Sequence, residues 1–134
     1  MIEVTALTSA SRSTAWHAFT DPNHVVNWNF AGEDWCCPSC TNDVRVGGTL
    51  TSRMEARDGS FGFDFESTYT GVVEGEQIHL MMADGRRWEV HFADAGEGTR
   101  ITECFDPEAE NPEDMQRMGW QMILDRFAAY ASGL

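Results

Sequence analysis

The stretch Ser52–Phe65, SRMEARDGSFGFDF, decides the fold. An Asp58-Gly59 turn pairs Arg57 with Ser60, which sets Ala56 against Phe61, Met54 against Phe63 and Ser52 against Phe65. The apolar side chains of both segments then share one face, as a hairpin register must when one face is buried. Working outward towards the C-terminus, a Glu74-Gly75 turn pairs Gly71 with Ile78 and Tyr69 with Leu80 and keeps that face. A two-residue Asp84-Gly85 turn would break it, placing Arg87 and Glu89 beside Met82 and Leu80. A three-residue loop, Ala83-Asp84-Gly85, with Gly85 left-handed in a bulge, restores it by pairing Leu80 with Trp88 and Ile78 with Val90. A four-residue loop, Ala95 to Gly98, sets Phe92 against Ile101, Val90 against Glu103 and Trp88 against Phe105. Five strands thus agree on one inner face, which also takes Leu50.

Ile2 to Leu7 alternates as a strand, and Arg12 to Thr20 carries Ala15, Trp16 and Phe19 at helical spacing. Asp21-Pro22 supplies an N-cap and a proline at the first helical position, predicting a second short helix through Trp28 and then a loop to about Asn42. Beyond the meander, Asn111-Pro112-Glu113-Asp114 predicts a cap and an acidic first turn for a helix running to about Ala131. Its polar face, Arg117, Gln121, Asp125 and Ser132, is narrow, while apolar residues spread over roughly 240°. Met115, Met118 and Met122 form one flank, Ile123 and Tyr130 the middle, Trp120, Leu124 and Phe127 the other. So wide an arc calls for a concave surface. The expected architecture is α+β, one domain over residues 1–134, with a curved antiparallel sheet wrapped around a long C-terminal helix and two short helices after the first strand.

Composition excludes more than it selects. All nine cationic side chains are Arg, so lysine Schiff bases, lysine general bases and a P-loop lysine are ruled out. With 22 acidic residues the net charge is −13, which argues against nucleic acid or an anionic membrane as partner. No basic n-region, signal-like run or membrane-length apolar stretch is present in the sequence, so a cytoplasmic location with reduced cysteines is expected. A homodimer is compatible with the sequence.

The segments AWHAFTDPNHVVNW, DVRVGGTLTSRMEARDGSFGFDFESTYTGV, TRITECFD and MQRMGWQMILDRFAAY resemble the activator of heat-shock-protein-90 ATPase homologue family of the START-like (SRPBCC) superfamily. The resemblance covers nearly the whole chain. It implies the helix-grip fold with an internal pocket between sheet and helix, but not one activity: members include hydrophobic-ligand binders and cyclase-like proteins. The family's name comes from a two-domain co-chaperone in which this fold is the C-terminal part. This chain holds only that part, so ATPase activation is not expected of it.

Cys36, Cys37 and Cys40 in DWCCPSC carry the spacing of a metal knuckle or redox motif. A structural zinc site needs a second knuckle, which is missing, since Cys104 stands alone on the outer strand face and the nearest histidine is His24. Redox pairs of this spacing precede a helix, whereas Asn42 to Val46 leads into a strand. Family members carry a single Cys-Pro here, so the further cysteines are a departure. The expectation is a packing loop without metal, and no cofactor.

For the pocket, Phe63, Phe65, Trp88, Trp120 and Ile123 are expected as apolar lining. Glu103 violates the inward alternation between Ile101 and Phe105, and a buried carboxylate needs a partner or a raised pKa. Arg126 and Gln116 fall within the helix's apolar arc, so Glu103 with Arg126 or Gln116 is expected as the polar anchor, with Tyr69 as a further donor. His17 is expected at the pocket mouth. The pairs Arg53–Asp64 and His79–Glu89 read as solvent-side cross-strand contacts, with His91 and His24 similar. No nucleophile–base pairing, metal triad or phosphate loop emerges from spacing. The expected function is binding of a small, largely apolar molecule between sheet and helix. A cyclase- or hydrolase-like enzyme using Glu103 as acid or base, and a chaperone-interacting module, stand as alternatives.

Overall fold

The computed structural model describes all 134 residues. In chain order the elements are β1 (Ile2–Thr8), α1 (Arg12–Thr20), α2 (Pro22–Val25), β2 (Trp35–Asn42), β3 (Thr49–Ala56), β4 (Gly62–Val73), β5 (Gln77–Met82), β6 (Arg87–Ala95), β7 (Gly98–Phe105) and α3 (Glu113–Ser132). The strands form one antiparallel sheet in the order β1-β7-β6-β5-β4-β3-β2. β1 closes on the last strand of the meander, with Val4 opposite Glu103 and Ile2 opposite Phe105. This is the helix-grip architecture that the resemblance implies.

Most of the register follows the turn chemistry. Ser52 faces Phe65 and Met54 faces Phe63. Leu80 faces Trp88, with Gly85 at φ 88° in the three-residue loop. Phe92 faces Ile101 and Trp88 faces Phe105, although the β6–β7 pairing runs further than expected, to Ala95 opposite Gly98. One turn differs. Gly71 lies opposite His79 rather than Ile78, because the loop spans Glu74 to Glu76 and a bulge between Tyr69 and Gly71 absorbs the extra residue. The bulge turns Gly71 to the outer face and leaves Val72 opposite Ile78.

The segment expected as a loop to Asn42 is instead the edge strand β2. Its run WCCPSCTN has neither alternation nor continuous β-branched character, which hides it from a pattern reading. Pro38 is tolerated because the strand is at the edge and a bulge falls between Cys36 and Ser39. Beyond it the chain turns sharply into β3. A side chain at Gly48 would come 2.0 Å from the Asp43 carbonyl oxygen, so only glycine fits there.

The helices complete the core. Ser11 caps α1 by accepting the Thr14 N–H at 3.2 Å, and Asp21 caps α2 by accepting that of Asn23 at 2.9 Å. α2 stops at Val25, and Trp28 follows in a turn with its indole N–H donated to the Ala18 carbonyl at 3.0 Å. Asn111 does not cap α3: its amide is bound to Glu108, and Pro112 holds the cap position. Phe127 is fully buried against Phe19 and Trp28, at ring centroid distances of 5.2 and 4.9 Å. Burying a side chain of this size contributes about 2–3 kcal/mol.

α3 leans on the β1 side of the sheet. Gln121 donates to the Thr5 carbonyl at 2.9 Å, and the hydroxyls of Ser132 and Thr8 meet at 2.8 Å. The sheet does not wrap the opposite flank of the helix, where Met115, Met118 and Met122 are exposed. Phe61 and Phe63, on the expected inner face, are likewise exposed at the end of the β3–β4 hairpin, where they meet Trp35. Between the helix and the β3–β4 side of the sheet a gap remains.

Candidate functional site: a cavity between sheet and helix

That gap is a cavity of about 200 Å³. Alternation on β3 and β4 points Leu50, Ser52, Met54, Phe63 and Phe65 into it, and β6 and β7 add Trp88 and Glu103. Trp120 and Ile123 of α3 cover it, and Phe19, Val25, Trp28 and Asn29 close the side. Ten of these thirteen residues are hydrophobic, so the wall suits apolar matter. Its volume exceeds the roughly 150 Å³ that holds one benzene in an engineered apolar cavity.

The aromatic wall is ordered by ring geometry. Trp120 stacks on Phe105 at 3.9 Å with 13° between planes, and meets Trp88 edge-on at 5.5 Å and Phe65 at 6.3 Å. Trp120 is thereby held from below by β7 while its other contacts fall on the cavity wall.

Two polar groups break this lining. Glu103 is 4% exposed and pairs across the sheet with Val4 on one side and Val90 on the other. Burial alone pushes its carboxyl up to about 8, with no hydrogen bond or charge offsetting it, so it carries a proton at neutral pH. The indole N–H of Trp88 is buried without a hydrogen-bond partner. Such a donor costs about 1–3 kcal/mol unless something pairs with it. The other polar side chains of the wall are Asn29 and Ser52, the latter giving its hydroxyl to Cys40 Sγ at 3.8 Å.

Of the residues expected in the pocket, the structure brings together Glu103, Phe63, Phe65, Trp88, Trp120 and Ile123. Four lie elsewhere. Arg126 turns outward, donates to Glu33 at 3.1 Å and places its guanidinium 4.4 Å from the Phe30 ring. Gln116 is used by the β7–α3 connection: its Oε1 accepts the Glu108 N–H at 2.9 Å and its Nε2 donates to the Asn111 carbonyl at 2.8 Å. Neither reaches Glu103, so the expected ion pair does not exist. A position in the apolar arc fixes direction from the helix axis, not the strand it meets. Tyr69 is buried, but its hydroxyl donates to Asn42 Oδ1 at 2.7 Å, and Asn42 in turn donates to the Thr20 carbonyl at 2.7 Å. Desolvation raises the Tyr69 phenol to about 12, so it stays a donor. His17 lies away from the cavity, in a surface groove with His24, where it is 3.7 Å from Asp21.

The side wall of Phe19, Val25 and Asn29 was beyond sequence reasoning, because it depends on how α1 and α2 fold over the sheet. Ser52 was legible: it shares parity with Leu50 and Met54. Of the three cysteines of β2, Cys37 is buried and Cys36 and Cys40 are half-buried. Cys37 is buried against Phe30 and Met54, and desolvation, with the Cys40 charge next, pushes its thiol up to about 11. Desolvation also raises Cys40. Both are poor thiolate sources. His24 is not merely solvent-side, since its Nδ1 lies 2.6 Å from the Tyr130 hydroxyl.

The comparisons with known proteins agree with this geometry. The family model described as activator of Hsp90 ATPase homolog 1-like protein matches residues 9–132. An AHSA1-like protein from Aeromonas hydrophila, solved in solution by NMR, is 35% identical, with a TM-score of 0.89 over 98% of this chain and 93% of that one. A protein from Cytophaga hutchinsonii is 37% identical, with a TM-score of 0.84 over 98% and 92% of the two chains. A protein from Chromobacterium violaceum shares the fold at 23% identity, with a TM-score of 0.86 over 98% and 96%. None of the curated proteins matches the chain significantly. No helix is long and apolar enough to cross a membrane.

Proposed function

This chain belongs to the activator of Hsp90 ATPase homolog 1-like family, and on that premise we propose that it binds a small, largely apolar molecule with one uncharged polar end in the cavity between sheet and α3. The observation that carries this reading is the pair of unsatisfied polar groups in an apolar chamber. The Trp88 N–H has no protein partner, and the protonated Glu103 carboxyl both donates and accepts. A carbonyl or hydroxyl on the ligand would pair with the Glu103 carboxyl, while a ring or short chain would fill the space under Trp120 and Ile123. An anionic ligand end is disfavoured, since no cationic side chain lines the cavity to offset its desolvation. Glu103 is the only titratable group of the wall, so the cavity lacks the paired acid and base that two-step proton transfer uses, which weighs against a catalytic role. Binding is therefore favoured over a cyclase or hydrolase role.

The test is titration of the ¹⁵N-labelled protein with phenol and with benzyl alcohol, read at the tryptophan indole N–H signals. The Trp88 signal is expected to shift most, Trp120 next, and Trp16 least. Native mass spectrometry of the protein as purified from cells is expected to show an organic adduct lost on denaturation. If neither alcohol moves the Trp88 signal at millimolar concentration and native and denatured masses agree, the reading fails.

A further inference from the structure

On the outer face of the sheet, away from the cavity, His79, Glu89 and His91 turn their ligand atoms towards one another, all within 4.8 Å. The sheet itself enforces the convergence. His79 on β5 is paired directly with Glu89 on β6, and His91 follows Glu89 by two positions on the same face. His91 Nε2 lies 3.3 Å from Glu89 Oε1, and His79 Nε2 lies 3.8 Å from the same oxygen. The two imidazoles meet edge to face, with centroids 5.8 Å apart.

Two observations go beyond a surface ion pair. His79 Nε2 is buried and has no hydrogen-bond partner, because 3.8 Å is too long for one. It is an orphaned ligand atom aimed at the carboxylate. Glu89, for its part, has no arginine: its salt-bridge partners are the two imidazoles, while the neighbouring Arg87 is engaged by Asp106 at 2.9 Å. The bulge at Tyr69–Gly71 adds room, since it places the side-chain-free Gly71 directly across from His79.

We propose that His79, Glu89 and His91 form a binding site for a divalent transition-metal ion, zinc by its chemistry, with the outward position open to water. Two neutral imidazoles and one carboxylate make a borderline donor set that suits zinc rather than calcium or magnesium. Bonds of about 2.0–2.1 Å in a tetrahedron require donor atoms about 3.3 Å apart. The edge between His91 and Glu89 already has that length, and the other edges need to contract by no more than about 1.5 Å, within reach of side-chain rotation. The three side chains are 29–39% exposed, so an ion can enter from solvent. Cys104 lies opposite Glu89 on β7 but directs its thiol to Glu3 at 3.7 Å, and so stays outside the triangle.

The protein, stripped of metal by chelation, would be titrated with zinc chloride in competition with a chromophoric chelator. The wild type would be compared with His79→Gln, Glu89→Gln and a Cys37→Ala/Cys40→Ala double variant, each checked by circular dichroism. We expect one zinc per chain, affinity at least about tenfold weaker in each of the first two variants, and unchanged affinity in the cysteine variant. Cobalt in place of zinc is expected to give no sulfur-to-metal charge-transfer band. Imidazole ¹⁵N signals provide a readout that needs no variant: zinc should move those of His79 and His91 and leave His17 and His24 in place. No zinc uptake, uptake indifferent to His79→Gln and Glu89→Gln, or a thiolate band would each overturn the proposal.

Discussion

Glu103 and Trp88 stand on adjacent strands one rung apart, Glu103 opposite Val90 and Trp88 opposite Phe105, and both line the same cavity. Each is unpaired: the indole N–H lacks a partner, and the carboxyl is displaced by desolvation alone. Two adjacent strands thus place an aromatic donor and a neutral acid together on an apolar wall.

Because the folded Glu103 titrates near 8, well above an unfolded glutamate, the folded state holds the extra proton through the interval between those values. Below the unfolded value both states are protonated and the residue is neutral to stability. As pH rises towards about 8 the native state loses stability relative to a variant without the acid, and above that the loss levels off. Glu103→Gln is therefore expected to match wild type near pH 4 and to exceed it by a few kcal/mol above pH 8, on the order set by linkage. Urea denaturation of both proteins across this range checks it; a pH-independent difference would contradict the burial of the acid.

Arg126 does not serve Glu103, so Arg126→Ala should leave that pH dependence unchanged. It should still lower stability, by about 1 kcal/mol, through loss of the guanidinium over Phe30. Glu33, the exposed partner, should be replaceable by Ala without measurable effect. The same urea series resolves all three outcomes.

Ile123 lines the cavity while remaining partly exposed, so a larger apolar side chain there can grow into empty space. Ile123→Phe is expected to stabilise the ligand-free protein by up to about 1 kcal/mol and to abolish the phenol-induced shift of the Trp88 indole. Thermal denaturation reads the first effect and the NMR titration the second. Destabilisation with intact phenol binding would show that the volume lies elsewhere.

Tyr69 links β4 to Asn42 and, through it, to the end of α1. Tyr69→Phe removes the donor and takes this partner from the half-buried Asn42 carboxamide oxygen, an expected cost of about 1 kcal/mol. Phenol binding should persist, because Tyr69 is outside the cavity. Loss of binding in a folded Tyr69→Phe protein would return Tyr69 to the site.

Among the cysteines, Cys37 should be alkylated slowest in the native protein, since it is 2% exposed and its thiol titrates near 11. A time course with iodoacetamide, followed by peptide mass spectrometry, checks this order. Rapid modification of Cys37 would contradict its packing against Phe30 and Met54.

What the amino-acid sequence determined by itself was local. Alternation with period two and the chemistry of the Asp58-Gly59 and Ala83–Gly85 turns sufficed to set Met54 against Phe63 and Leu80 against Trp88, because a one-residue slip would expose the whole apolar face. The same alternation exposed Glu103 as an anomaly. The tertiary structure decided everything that depends on distance between elements. It made a strand of WCCPSCTN, whose pairing with β3 outweighs a poor local pattern and a proline at the sheet edge. It turned Arg126 towards Phe30 and Glu33, leaving Glu103 to face a cavity that exists because α3 is tied to β1. It also gathered His79, Glu89 and His91, since a cross-strand pair is readable from register but the aim of two rings and a carboxylate is not. Periodicity reports the side a residue faces; packing alone determines what it meets there.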